Sequence, residues 1–162
     1  APMADGVAAL RAATGLEVLP ENPPGAAFVG DLHLLDFFAR LADAADTGLL
    51  LDCAHLAIYQ RARGLPPLAA FDGFPWERVI ELHVAGGRED AHDGLPFIDD
   101  DHGVHVLQDT WEIVEAALAR AVNLRAVVVE CERNPLPAVL PLFADVHRRL
   151  PPALRATLAP AP

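Results

Sequence analysis

Apolar residues in this chain alternate between two spacings. Short, nearly unbroken runs occur at "LEVLPEN" (16–22), "GLLLD" (48–52), "RVIELHVA" (78–85) and "RAVVVE" (125–130), the length and composition of buried strands. Each leads into a stretch with apolar residues three and four apart. The first, "DLHLLDFFARLADAA" (31–45), has Asp31 as its expected N-cap. The second, "CAHLAIYQRAR" (53–63), is weaker. The third, "DTWEIVEAALARA" (109–121), follows a long loop and opens with Asp109 and Glu112 in capping-box spacing. The fourth is "LPAVLPLFADVHRRL" (136–150). Residues 1–14 read as an amphipathic helix of a preceding unit, and the Pro-rich tail, 151–162, is expected to fray.

Apolar strands each followed by a helix predict an α/β domain over 1–162, with a parallel sheet buried on both faces. Four such units make a small open sheet or half of a (β/α)8 barrel, which takes about 250 residues. An open half-barrel leaves two apolar strand edges that something must cover.

Composition narrows the function classes. The 162 residues are 52% hydrophobic, enough for one sizeable core, with 12 basic against 23 acidic residues and a net charge of −11. That balance argues against nucleic acid or an anionic membrane as partner. All the basic residues are Arg, so no Schiff-base or P-loop lysine is present. No apolar run approaches the roughly 20 residues of a membrane span, and the first residues lack a signal-peptide pattern. Two cysteines, Cys53 and Cys131, at apolar strand ends suggest a reduced, cytoplasmic protein and read as core residues.

Polar residues cluster at the carboxyl ends of the strands. Glu21, Asp52 and Glu130 end the first, second and fourth strands, and His83 lies near the end of the third. His55 lies just beyond Asp52, and Asp100 and His102 lie in the loop "FIDDDHGVHV" (97–106). In a parallel sheet those ends share the face where active sites are built. Carboxylates so close repel and resist burial unless a cation joins them. A lone strand-end carboxylate is more often a cap or an ion-pair partner. As a set, imidazoles and carboxylates suit iron, manganese or zinc, and seven candidates exceed the three or four ligands of one catalytic ion. Two or more carboxylate-bridged metals follow.

Other polar residues read more plainly. His33 and His147 are expected on the surface, and His92 in a solvated loop or lid. His105 has no clear place. Glu81 alternates with His83 and fits either the same face or an outer ion pair. Asp99 and Asp101 are expected to face solvent or outer donors, and Trp76 and Trp111 to anchor packing.

"ENPPG", "LLLDCAHL", "VIELHVAGG", "IDDDHGVHV" and "VVVECERNP", in this order, resemble the multinuclear non-heme iron-dependent oxidases (MbnB-like), once a domain of unknown function. The resemblance runs from about residue 8 to 150. It implies the C-terminal half of a TIM-type, xylose-isomerase-like (β/α)8 barrel binding two or three iron ions in mixed Fe(II)/Fe(III) states. The implied reaction uses dioxygen to modify residues, often cysteines, of a ribosomally synthesised precursor peptide, with a partner protein that presents the peptide. By motif, Glu21 is a bridging carboxylate, Asp52, His55 and His83 are ligands, Asp100 and His102 match an Asp-x-His pair, and Glu130 closes the cluster. Many members have Asn at the place of His55, and often His at that of Gly87. Members also carry about 100 further residues before this region, so a missing N-terminal half or another subunit would complete the barrel. The alternatives are a zinc- or manganese-dependent hydrolase or isomerase of the same superfamily, and a non-catalytic metal-binding half-barrel.

Overall fold

A computed structural model describes residues 2–25, 30–93 and 95–157. Its helices are α1 (Pro2–Thr14), α2 (Leu34–Ala45), α3 (Cys53–Ala62), α4 (Gln108–Leu118), α5 (Leu136–Arg149) and α6 (Pro152–Thr157). Its strands are β1 (Leu49–Asp52), β2 (Val79–Ala85), β3 (Arg88–His92), β4 (Leu95–Asp99) and β5 (Ala126–Glu130). β1, β2 and β5 form a parallel sheet in that order, with β2 central. This is an α/β fold whose sheet is consistent with part of a (β/α) barrel.

The expected strand over 16–22 contracts to one parallel bridge, Glu21 with Leu50. Pro20, Pro23 and Pro24 explain this, because proline has no N–H to give a ladder; the Pro20 carbonyl still accepts from the Leu50 N–H at 3.1 Å. The loop after β2 contains the antiparallel hairpin β3–β4, and part of the tail is helical as α6; residues 158–162 lie outside the described residues.

Two expected helix caps are corrected. α2 is capped by His33, whose Nδ1 accepts from the Leu35 N–H at 3.1 Å while Nε2 lies 3.1 Å from Gln60 Oε1. His33 is thus a half-buried structural residue, not a surface one. α4 starts after Leu107 with no side-chain cap; Asp109 instead accepts from Arg61 Nε at 2.5 Å, and Arg61 also pairs with Glu89 of the hairpin. That electrostatic tie holds β3 against α3 and α4.

Period-2 alternation divides the sheet. Leu51, Leu82 and Val84 turn to the helices and are buried in a core shared with Leu56, Ile113, Val114 and Leu142. The opposite face carries Asp52, Glu81, His83, Val128 and Glu130, and Val128 there is 38% exposed. Burial on both faces therefore does not hold among the described residues: helices cover one face, and the other bears the ionisable groups.

Candidate metal centre

Strand register assembles the first half of the site. Asp52 lies directly opposite His83, and His83 opposite Val128, so Glu130 stands two residues further along β5 on the same face. Asp52 is fully buried and caps α3, its Oδ1 accepting from the His55 N–H at 2.7 Å. Asn22, also buried, clamps Asp52 from the bridge side: its Nδ2 donates to the Asp52 carbonyl at 2.9 Å and its Oδ1 accepts from the Asp52 N–H at 2.8 Å. That amide replaces the ladder which the prolines deny this edge.

The "DDDH" run resolves into four different partners. Asp99 pairs with Arg88 at 3.1 Å. Asp100 Oδ2 is 2.9 Å from His55 Nε2 and 3.5 Å from His102 Nε2. Asp101 Oδ1 accepts from the Gly103 N–H at 2.8 Å, closing a turn. His102 sits at φ 49°, in the left-handed region, where Asn134 Nδ2 donates to its carbonyl at 2.7 Å. The loop also presses on the turn after β2: a Cβ at Gly86 would meet the Gly103 carbonyl oxygen at 2.3 Å. Only glycine permits that approach.

All seven strand-end and loop candidates meet in three overlapping groups whose ligand atoms lie within 4.8 Å of one another. One is His55, Asp100 and His102; another is Asp52, His83 and Glu130; the third is Glu21, Asp52 and His55. In the third, His55 approaches Glu21 and Asp52 through Nδ1, at 3.5 and 4.0 Å. That nitrogen already donates to the Asn22 carbonyl at 2.7 Å. Glu130 faces two groups, with Oε1 3.1 Å from His83 Nδ1 and Oε2 3.7 Å from His102 Nε2.

Charge is badly balanced here. Burial, the largest influence, pushes Asp52 from an ordinary 3.8 up to about 6; His55 pulls it down, while Glu130 and Asp100 push it up. Burial would lower the His55 imidazolium, but the Asp100 hydrogen bond, the Asp52 charge and the Asn22 carbonyl outweigh it and raise it to about 9. Burial likewise opposes the ionised Asp100, yet His55 and His102 hold its carboxyl below the usual range.

Asp52 Oδ2, His83 Nδ1, Asp100 Oδ1 and Glu130 Oε2 are buried without any hydrogen-bond partner. An unsatisfied buried polar atom costs roughly 1–3 kcal/mol, more when charged. Four together, three of them carboxylate oxygens and one an imidazole nitrogen, form a donor set that one or more divalent metals would complete.

A family model described as "RiPP precursor modification enzyme MbnB/TglH/ChrH" matches residues 3–149. The chain belongs to this family. Membership agrees with the resemblance carried by the five motifs, and the family's description is of enzymes that modify precursor peptides. A UPF0276 protein of Acaryochloris marina is 32% identical over 120 residues, covering 73% of this chain and 42% of the relative. A UPF0276 protein of Pseudomonas aeruginosa is 30% identical over 119 residues, 74% of this chain and 40% of the relative. A third, from Neisseria meningitidis, is 27% identical over 121 residues, with coverage of 74% and 42%. The chain thus spans about two fifths of the length of these UPF0276 relatives.

Sequence reasoning missed Asn22, Glu132 and Asn134. Asn22 and Asn134 act on backbone groups, and nothing in composition or periodicity signals that. Glu132 Oε1 lies 3.0 Å from His102 Nδ1; its place two residues after Glu130 was the available hint. His105 is exposed, and its carbonyl accepts from the Gly87 N–H at 3.1 Å. The side chain of His92 lies outside the described residues. His147 is exposed. Both cysteines are free and buried, and burial pushes the Cys53 thiol well above its usual value. Trp76 packs against Phe71 and Phe74, and Trp111 lies beneath Arg149. No helix among the described residues is long and apolar enough to cross a membrane.

Proposed function

We propose that this protein is a multinuclear iron-dependent oxidase that modifies a ribosomally made precursor peptide, often at cysteine, in natural-product biosynthesis. The observation that carries the reading is the convergence of three histidines and four carboxylates on one end of the sheet, four of their buried atoms without partners. The same residues, Glu21, Asp52, His55, His83, Asp100, His102 and Glu130, are the proposed ligands. Bound iron would supply affinity for a substrate thiolate and the electrons that reduce dioxygen.

The chain's own residues contribute the rest. Glu21, expected as the bridging carboxylate, lies 3.5 Å from His55 and 3.8 Å from His83, and it would be shared between ions, as would Asp52 and Glu130, which each face two groups. The Asn22 clamp and the Asp101 turn hold the backbone at Asp52 and His102, so ligand geometry is set before a metal binds. Helices on the far face keep water from the buried side of the centre. In a completed barrel, the face where Val128 stands would line the interior, and a substrate would approach from the carboxyl ends of the strands.

We propose further that the chain is the C-terminal half of a TIM-type, xylose-isomerase-like barrel, with the remaining βα units from an N-terminal half or another subunit. The outer edge of β5 pairs with no described strand, and Leu136, Leu140 and Phe143 expose an apolar stripe on α5, the helix that follows it. The stripe supports cover by further βα units, since exposed apolar edges invite association. A cytoplasmic location and a separate peptide-presenting protein complete the proposal.

The test is metal content of the anaerobically purified natural gene product, by elemental analysis with Mössbauer spectroscopy. Two or more magnetically coupled irons per chain support the oxidase. Zinc or manganese with hydrolytic or isomerase turnover would replace it with a hydrolase or isomerase.

A further inference from the structure

Each histidine of the centre has one ring nitrogen engaged by a partner outside the seven residues and the other turned toward their carboxylates. His55 Nδ1 donates to the Asn22 carbonyl and its Nε2 faces Asp100. His102 Nδ1 meets Glu132 and its Nε2 faces Asp100 and Glu130. His83 is the reverse: Nε2 lies 3.0 Å from Glu81 Oε1, and Nδ1 points inward, buried and without a hydrogen bond.

His83 has the hardest choice. Around its Nδ1 stand Glu130 Oε1 at 3.1 Å, Glu21 Oε1 at 3.8 Å and Asp52 Oδ2 at 4.0 Å. All three carboxylates attract a proton to Nδ1, and a protonated Nδ1 cannot ligate a metal. One acceptor, Glu81, competes for the proton from the other side of the ring. Its place is fixed by the strand: residues two apart in β2 share a face, and Glu81 is in register with Leu50 on one side and Ala126 on the other. Glu81 therefore lies one layer below the ligands on a strand paired along both edges.

We infer that Glu81 is a positioning residue: it holds the His83 ring by accepting from Nε2–H, which leaves the inward-facing Nδ1 for the metal. A carboxylate behind a ligating imidazole fixes ring orientation and tautomer and raises ligand basicity. The inference rests on the metal-centre reading for its consequence, but the tautomer itself is a property of the metal-free chain.

The experiment uses the natural gene product labelled with ¹⁵N-histidine. Two-bond ¹⁵N–¹H correlation spectra of the metal-free protein at pH 8 report the His83 tautomer, and anaerobic titration with ferrous iron reports affinity. Wild type is expected to carry the proton on Nε2. Glu81→Ala is expected to move it to Nδ1 and to weaken ferrous binding about 10- to 100-fold. Glu81→Gln, whose amide oxygen accepts the same Nε2–H, is expected to keep the wild-type tautomer and recover affinity to within a few-fold. If Glu81→Ala does not fold, Glu81→Gln against Glu81→Met supplies the same contrast. An Nδ1–H tautomer in wild type, or an unchanged tautomer in Glu81→Ala, overturns the inference. Loss of the Nε2–H tautomer in Glu81→Ala, with no ferrous binding by wild type, supports the inference and sinks the metal-centre reading alone.

Discussion

Asp52→Asn should have opposite effects on the metal-free and metal-loaded protein. Asp52 is fully buried, and its carboxyl is raised from 3.8 to about 6 by burial against the partial relief that His55 gives. At about 1.4 kcal/mol per pH unit, ionising it costs the folded state roughly 3 kcal/mol relative to the unfolded chain. The sign follows from the raised folded value: below pH 4 both states are protonated and nothing is lost, and the penalty grows as pH rises from about 4 to 6 and is complete above that. Asparagine removes the charge while its carbonyl oxygen still accepts from the His55 N–H. Urea unfolding of the natural gene product in chelator at pH 8 should therefore show Asp52→Asn more stable than wild type by about 1–3 kcal/mol, with the gain vanishing near pH 4. With metal present the order should reverse, because a ligand is lost. A metal-free variant less stable than wild type at pH 8 would refute the reasoning, since it would mean that the chain already neutralises Asp52 without a cation.

Other outcomes follow from the same geometry. Asp52→Ala and His83→Ala should abolish metal uptake, whereas His33→Ala should cost about 1 kcal/mol of stability through the lost α2 cap and leave metal content unchanged; equal metal content in all three would overturn the site. Gly86→Ala should push the 100–105 loop away, since its Cβ would lie 2.3 Å from the Gly103 carbonyl oxygen, and metal stoichiometry should fall with Asp52 intact. Because His55 is raised to about 9, metal must displace its proton at neutral pH. Apparent affinity should thus rise up to about tenfold per pH unit from this residue as pH climbs from 7 and level off above about 9; a pH-independent affinity by calorimetry would remove His55 from the ligand set.

Some of this was legible in the linear chain because it depends on local rules. β1, β2, β5 and helices α1 to α5 appear within a few residues of where apolar spacing predicts them, since burial on the helix face sets that spacing. The seven ligand candidates were legible only as a set, because a parallel sheet brings the carboxyl ends of its strands to one face, while each alone also reads as a cap or an ion-pair partner, as Asp52 does at α3. The strand near Glu21 was overread: proline withholds the hydrogen bond that apolar character alone does not reveal. Two caps were misassigned because Asp31 and Asp109 fit the local pattern while a longer-range partner, Arg61 for Asp109, took the side chain.

Sequence alone determined that this is an α/β chain with imidazoles and carboxylates gathered at strand ends. Tertiary structure decided which of three consecutive aspartates faces the histidines, which ring nitrogen of each histidine points inward, and that Asn22 and Glu81 stand behind them. The division has a physical cause. Strand and helix periods are properties of neighbouring residues, whereas Asp100 meets His55 across 45 positions and Glu132 meets His102 across 30. A helix end and the loops after β4 and β5 carry those residues, so packing of the whole domain sets their encounters rather than any one segment.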